Sequence, residues 1–347
     1  MRSEPATTAE TPRGAILAVS SDASGSRSTA SRITPGSVSV VVVSYNARDQ
    51  LRSCLRSVQA ANAGEVVVVD NASDDGSPEM VRAEFPEVKL VANRDNVGYG
   101  AAANLALKRC DTPYVLLLNC DTVVSSGALG AMTRYLDQNP SAAVVGPRLT
   151  RTDGSLLRSC YPDPSPLDFL LDVSNLYRVV ERVPFLRELS PRTWSHDRRR
   201  QVPWVNGAAL AIRREALAGV GGFDERFFMY SEETDLCYRL SRAGWEVHYA
   251  PVAEVVHVGG ASASRRRADM IVEMYASMAC FYQLHYPPRR LSQLGILIGV
   301  TSAARIVRDS IRLRLTGEPT ARARLATDLS AWHRLLRGEW RRRVDGI

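Results

Sequence analysis

Three short apolar runs constrain this chain most: VSVVVVS from Val38, EVVVVD from Glu65 and YVLLLN from Tyr114. Runs of strand length without polar alternation describe strands buried on both faces. A loop follows the first, and then apolar residues at helical spacing, Leu51, Leu55 and Val58. VKLVAN from Val88 and AAVVGPRL from Ala142 extend the theme. The pattern predicts an α/β chain with a mainly parallel sheet flanked by helices. Ligands of such sheets bind beyond the carboxyl ends of the strands, so the segments SYN, DNAS, NRDN and NCD receive the first chemical reading.

A chain of 347 residues accommodates roughly two domains, or one large domain with appendages. Residues 1–37 are rich in Ser, Thr, Ala, Gly and Pro without apolar periodicity, which predicts a disordered N-terminal tail. Residues 38–262 hold the α/β pattern, and residues 263–347 read as a basic amphipathic helical region, of which residues 318–347 are expected to be removable because the strands precede Ala261. The net charge is +7, yet residues 261–347 hold 16 Arg, no Lys and 7 acids, which makes that part +9 and leaves −2 elsewhere. Such asymmetry argues for an anionic partner at the C-terminal part, and without a recognition module it argues against nucleic acid. Leu325, Leu329, Trp332 and Leu336 share one helical face among arginines, the pattern of an interfacial helix on an anionic membrane surface. A helix packed on the α/β domain is the alternative. Six scattered Cys without a CxxC pair read as reduced thiols of a cytosolic protein. No apolar run is long enough to span a bilayer, and GAILAV from Gly14 is too short for a signal peptide, so the expected location is cytoplasmic and membrane-peripheral.

Asp70, Asn96 and Asp121 close or follow successive strand runs and converge polar groups on one sheet edge. A carboxylate at Asp121 can hold a hard divalent cation that also takes diphosphate oxygens, while Asp70 is placed to accept from a base or ribose. Asp74 and Asp75 read as turn and cap residues. Glu232, Glu233 and Asp235 follow the aromatic run Phe227, Phe228 and Tyr230 and open a helical pattern. A partly desolvated acid there has a raised pKa and suits general-base work on a hydroxyl. His257, at a strand end before two glycines, is a candidate further metal ligand, whereas His248 reads as structural. Gly98-Tyr99-Gly100 with Ala103 matches GxGxxA, the mark of a dinucleotide oxidoreductase. Several polar residues separate Gly98 from the preceding strand, and the unit is the third along the chain, both against that reading.

In these segments, residues 38 to about 262 resemble a family 2 glycosyltransferase of the GT-A fold. The resemblance rests on VVVVSYN, VVVDNASDDGS, NVGYGAAANLAL, LLLNCDT, WVNGAALAIRREAL, GGFDERFFMYSEETDLCYRLSRAGW and VHVGGAS, in the family's order. It implies a metal-dependent, inverting hexosyltransferase that takes a nucleotide-sugar donor. Ser44, Tyr45, Asn46 and Asp70 would hold the nucleoside, with Asn96 and Gly98 near the diphosphate. Asn119 and Asp121 close the DxD-like element, Asp121 and His257 being the ligands of Mg2+ or Mn2+. Trp204, Asn206 and Gly207 would meet the acceptor, Glu233 would be the base with Glu232 as the competing position, and Asp235 would order the acceptor site. The DxD-like element carries a single carboxylate, and the base position holds Glu where the family has Asp. Both departures leave room for a catalytically silent membrane-peripheral scaffold of the same fold. The bacterial rhamnosyltransferase-like branch is the most similar, which implies dTDP-rhamnose as donor and a lipid-linked or polysaccharide acceptor in cell-envelope glycan synthesis.

Overall fold

The computed structural model describes residues 38–259 and 267–344; the N-terminal segment 1–37 and the expected boundary at 262 lie outside the described residues. The first half alternates strand and helix as expected: β1 (Val38–Ser44), α1 (Arg48–Ala60), β2 (Glu65–Asp70), α2 (Ser77–Glu84), β3 (Lys89–Ala92), α3 (Tyr99–Leu107), β4 (Tyr114–Asn119), β5 (Thr122–Val124), α4 (Ala128–Gln138) and β6 (Ala142–Thr150). Successive strand side chains point to opposite faces, which divides the apolar runs between two cores. Val40, Val42, Val68, Leu116 and Leu118 pack with α1, α2 and α4 on one face. Val41, Val43, Val67, Val69, Val115 and Leu117 pack with α3 on the other. Each such side chain taken fully out of water contributes about 1.5–3 kcal/mol, which is why unbroken Val and Leu runs end up as central strands.

The segment 151–203, irregular in its sequence pattern, forms short pieces: β7 (Leu156–Leu157), β8 (Cys160–Tyr161), α5 (Pro166–Val173), α6 (Tyr177–Arg182), α7 (Pro184–Leu189) and β9 (Arg200–Gln201). Then come β10 (Trp204–Val205), β11 (Ala209–Arg213), α8 (Arg214–Val220), α9 (Glu232–Arg242) and β12 (Glu246–His257). The main sheet runs β3-β2-β1-β4-β11-β6-β12-β5, with β7 and β9 paired at its side. β1 to β4 are mutually parallel, as are β6 and β12, while β11 and β5 run antiparallel to their neighbours. The chain leaves β1 on one side toward β2 and returns on the other at β4, so a crevice opens between the ends of β1 and β4, the topological switch point.

The C-terminal part is helical: α10 (Arg267–His285), α11 (Pro288–Leu315), α12 (Pro319–Leu336) and a 3-10 turn, Glu339–Arg343. It belongs to the same compact unit as the sheet. The expected free face of α12 is corrected. Trp332, Leu335 and Ala331 are buried with Tyr275, Phe281, Leu294 and Trp340 in a third core, and only Leu336 of the expected stripe is exposed. Trp332 also donates its Nε1–H to the buried carboxylate of Asp309 at 3.1 Å. Packing took that stripe because it faces α10 and α11, whose apolar positions need cover.

Candidate active site

The crevice is walled by loops that cross-link one another. Asp70, at the end of β2, is buried, and its Oδ2 accepts from Ser73 N at 2.9 Å while Oδ1 has no partner. Burial raises the pKa of this carboxyl, against the hydrogen bonds from Ser73. A buried, half-satisfied carboxyl at a strand end is the kind of group a bound hydroxyl or base completes. Ser44 stands opposite Asp70 in the β1–β2 ladder, wholly buried beside the Cys120 thiol, which burial pushes up to about 12. Asn46 adopts a left-handed φ of 50° and spends its Oδ1 on Asp74 N, so it shapes the loop over the crevice. Tyr45 lies between them, partly exposed. Asp75 caps both neighbouring helices, accepting from Arg48 N and Ser77 N, as its turn and cap reading expected.

Asn71, which the residue pattern did not single out, is the hub of the next loop. Its Oδ1 accepts from Asn93 Nδ2 and Val97 N, and its Nδ2 donates to Asn96 Oδ1 and Gly98 O. Asn96 is therefore engaged inside the loop, accepting also from Gly98 N. Gly98 closes the same loop, its carbonyl accepting from Asn71 Nδ2 at 3.1 Å. It lies buried against Phe228, and Tyr99 N at the start of α3 donates to Phe228 O at 2.8 Å. The GxGxxA glycines thus serve close packing of the segment before α9, which removes the basis of the dinucleotide reading.

At the end of β4, Asn119 donates its backbone N–H to Ala208 O at 3.0 Å. Asp121 follows, with His257 of β12 reaching it across the β5 pairing: Nε2 and Oδ1 are 3.2 Å apart, both side chains mostly buried. Sequence reasoning placed both at the metal, and the fold brings them together. Among the described residues no group of three or more His, Cys, Asp or Glu is assembled for a metal. One carboxylate and one imidazole still match a Mg2+-type site, which takes few protein ligands and fills its remaining positions from phosphates and water. His248, by contrast, is structural as expected, held between Tyr135 and Glu246.

The acid pair faces this edge from α9. Tyr230 and Ser231 carry left-handed φ values of 68° and 63°, which turn the chain sharply just before Glu232. Two consecutive non-glycine residues in that region cost about 1–3 kcal/mol each, a strain typical of residues over-determined by a functional site. Glu233 Oε1 accepts from Gly207 N at 3.4 Å, whereas Oε2 of each acid is buried without a partner. Burial raises both pKa values, and for Glu232 the charge of Glu233 adds to the effect and carries it well above the ordinary range. Two adjacent buried carboxyls resist ionising together, so the pair holds a proton more readily than an exposed one would. The half-buried Tyr99 phenol is pushed upward by desolvation and by the charges of Glu232 and Glu233.

Asp235 is fully buried, with Oδ2 accepting from Arg239 Nε and Oδ1 paired to His285 Nε2, each at 2.7 Å, contacts through which it can order the segment beside it. Arg239 donates onward to Val220 O and Gly222 O and anchors the segment before the acids. Trp204 stacks on Tyr161 of β8, ring centroids 4.3 Å apart, and donates Nε1–H to Pro162 O. Asn206 holds its own turn through Ala208 N, and Gly207 borders Glu233 so closely that an added Cβ would meet Oε1 at 3.4 Å.

A crevice at the switch point of a parallel sheet, edged by Asp121 and His257 and faced by a buried acid pair, defines an α/β transferase of GT-A type. Residues 35–276 match the glycosyltransferase-like family 2, and the chain belongs to that family. It is 32% identical over 261 residues to an N-acetylglucosaminyl-diphospho-decaprenol L-rhamnosyltransferase of Mycobacterium tuberculosis, covering 70% of this chain and 82% of that protein. A rhamnosyltransferase of Escherichia coli strain K12 is 24% identical over 63% of this chain and 83% of its own. Among solved structures, a mannosyltransferase from Pyrobaculum calidifontis in complex with GDP-Man and Mn2+ superposes with a TM-score of 0.51 at 19% identity, over 86% of this chain and 87% of that one, which shows the shared fold. The protein is a glycosyltransferase similar to the rhamnosyltransferase-like branch.

Proposed function

We propose that this glycosyltransferase inverts the anomeric centre of dTDP-rhamnose while transferring rhamnose to a hydroxyl of a lipid-linked diphospho-sugar acceptor in cell-envelope glycan synthesis. The observation that carries the mechanism is the meeting of Asp121, His257 and Gly207–Glu233 around one crevice. The sugar and acceptor assignments are supported by the relatives, both named rhamnosyltransferases and one of them by an N-acetylglucosaminyl-diphospho-decaprenol acceptor.

Ser44, Tyr45 and Asp70 receive the nucleoside, the unpartnered Asp70 Oδ1 accepting from it. Asp121 and His257 are the residues that would hold a divalent cation, whose chemistry is to offset charge on the departing diphosphate. The Gly207 N–H orients the Glu233 carboxylate, and the remaining oxygen takes the proton of the acceptor hydroxyl. The acceptor oxygen then bonds to the anomeric carbon as the bond to the diphosphate oxygen breaks, and the nucleoside diphosphate leaves with the electron pair. A single in-line displacement inverts the configuration. Glu232, held protonated, keeps a second negative charge away from the leaving group. Trp204 and Tyr161 supply an apolar wall for the acceptor sugar. A lipid-linked acceptor implies work at an anionic membrane surface, on its cytoplasmic face, where the nucleotide sugar is available.

The test is nucleotide release from a panel of nucleotide sugars with an N-acetylglucosaminyl-diphospho-lipid acceptor, followed by determination of the product anomer. Acceptor-dependent release from dTDP-rhamnose with inverted configuration is expected. Turnover with another donor would overturn the donor assignment, retained configuration would overturn the displacement, and no transfer from any donor would favour the silent scaffold.

A further inference from the structure

We infer that α11 is the face on which this protein lies against an anionic lipid bilayer, an inference that rests on the proposed lipid-linked acceptor. α12 buries Trp332 of its apolar stripe and half-buries Leu325 and Leu329, whereas α11 exposes a row of its own. Ile296, Val300, Val307, Ile311 and Leu315 are between 53% and 80% exposed. Their spacings of 4, 7, 4 and 4 place them within an arc of about 100° at 100° per residue. Exposed Ala303 and Ala304 fill the gap in the same face. Soluble surfaces carry large apolar side chains singly, so a continuous exposed row marks an interaction surface.

The charges around the row select the occupant. α11 carries six Arg and one acid, Asp309, which is buried and paired to Arg308 at 2.7 Å. Arg289, Arg312 and Arg314 are exposed and make no ion pair among the described residues. Beside the row a groove of about 670 Å³ opens between α11 and α12, lined by Arg312, Leu315, Arg324 and Leu325 together with Asp309 and Asp328, whose carboxylates are already paired to Arg308 and Arg267. A phospholipid offers the matching pair, acyl chain and phosphate. A second copy of this face would instead set arginines against arginines, which costs rather than contributes. With 28 residues the helix is about 42 Å long. Among the described residues no helix is long and apolar enough to cross a membrane, so α11 lies in the interface plane. α5 packs against it and adds exposed Leu167 and Leu170.

The experiment is flotation of the full chain with phosphatidylcholine vesicles, with and without phosphatidylglycerol, at low and high salt. Beside it run rhamnose transfer to a water-soluble acceptor analogue and sedimentation velocity without lipid. The wild type is expected to float with the phosphatidylglycerol vesicles and to be released by salt. Val307→Asp with Ile311→Asp lowers partitioning at least tenfold, and Arg312→Gln with Arg314→Gln lowers it about thirtyfold, as expected for two surface charges. Leu336→Asp on α12 leaves it unchanged, and all variants keep turnover on the soluble analogue. Wild-type partitioning by both α11 variants overturns this face while the lipid-linked acceptor stands. Failure of the active wild type to float, or a dimer abolished by Val307→Asp with Ile311→Asp, overturns the bilayer as occupant. Absence of turnover with any acceptor is a separate failure, that of the proposed function.

Discussion

Replacing Gly98 by Ala tests how the donor-side loop and the acid pair are held together. Gly98 sits at φ 86° and ψ 170°, a region that side chains other than glycine's rarely enter. A Cβ there would lie 2.4 Å from Phe228 O and 2.9 Å from both its Cα and its Cδ2. Because the first two atoms are backbone, rotating a side chain gives no relief. Backbone strain costs about 1–3 kcal/mol and forced overpacking about as much again, so the substitution destabilises by roughly 2–6 kcal/mol. Relief requires moving Phe228, only four residues before Glu232, so turnover falls in whatever protein remains folded. Gly127→Ala is the control: its φ is 76°, but nothing lies within 4 Å of the added Cβ, so it pays strain alone. In urea unfolding Gly98→Ala is expected to lose more stability than Gly127→Ala by at least about 1–3 kcal/mol, since it adds the contact to a backbone region more restricted than the αL conformation of Gly127. Equal stability of the two variants, with normal turnover for Gly98→Ala, would refute the close contact.

Three further outcomes are expected. Glu232→Gln removes a buried acid whose folded-state pKa lies well above the unfolded 4.5. The wild type loses stability relative to this variant as pH rises above about 4.5, and the difference vanishes below it, in urea titrations across pH. Asp121→Asn and His257→Ala each weaken donor binding measured calorimetrically with Mn2+, by about 10- to 100-fold, and chelator brings the wild type to the same level. Truncation after Gly338 removes Arg342 and Arg343, which both pair with the buried Glu273. An uncompensated buried charge costs about 3–5 kcal/mol, so thermal unfolding drops sharply and Glu273→Gln restores part of it.

The sheet was legible because strands buried on both faces leave no choice of residue: an unbroken Val or Leu run has few other uses. Strand ends were legible for the same topological reason, and Asp70, Asp121 and His257 were read from position alone. What stayed hidden depends on partners distant in sequence. Asp235 reads as a site acid by its place in SEETD, yet His285, 50 residues on, claims one of its oxygens. Asn71 reads as a loop Asn, and only the fold shows it tying the loops after β2 and β3 together. The α12 stripe and the α11 row are both amphipathic by spacing. Which is buried depends on helix packing, and the arginines interrupting α11 obscure its row in the sequence.

The central claim is that Glu233 removes the acceptor proton while Glu232 stays protonated. Single-turnover transfer by Glu233→Gln and Glu232→Gln, with donor affinity measured alongside, tests it most directly. Glu233→Gln is expected to slow transfer by about two to four orders of magnitude at unchanged donor affinity, and Glu232→Gln to retain most of the rate. Full activity in Glu233→Gln, or the larger loss in Glu232→Gln, would contradict the assignment.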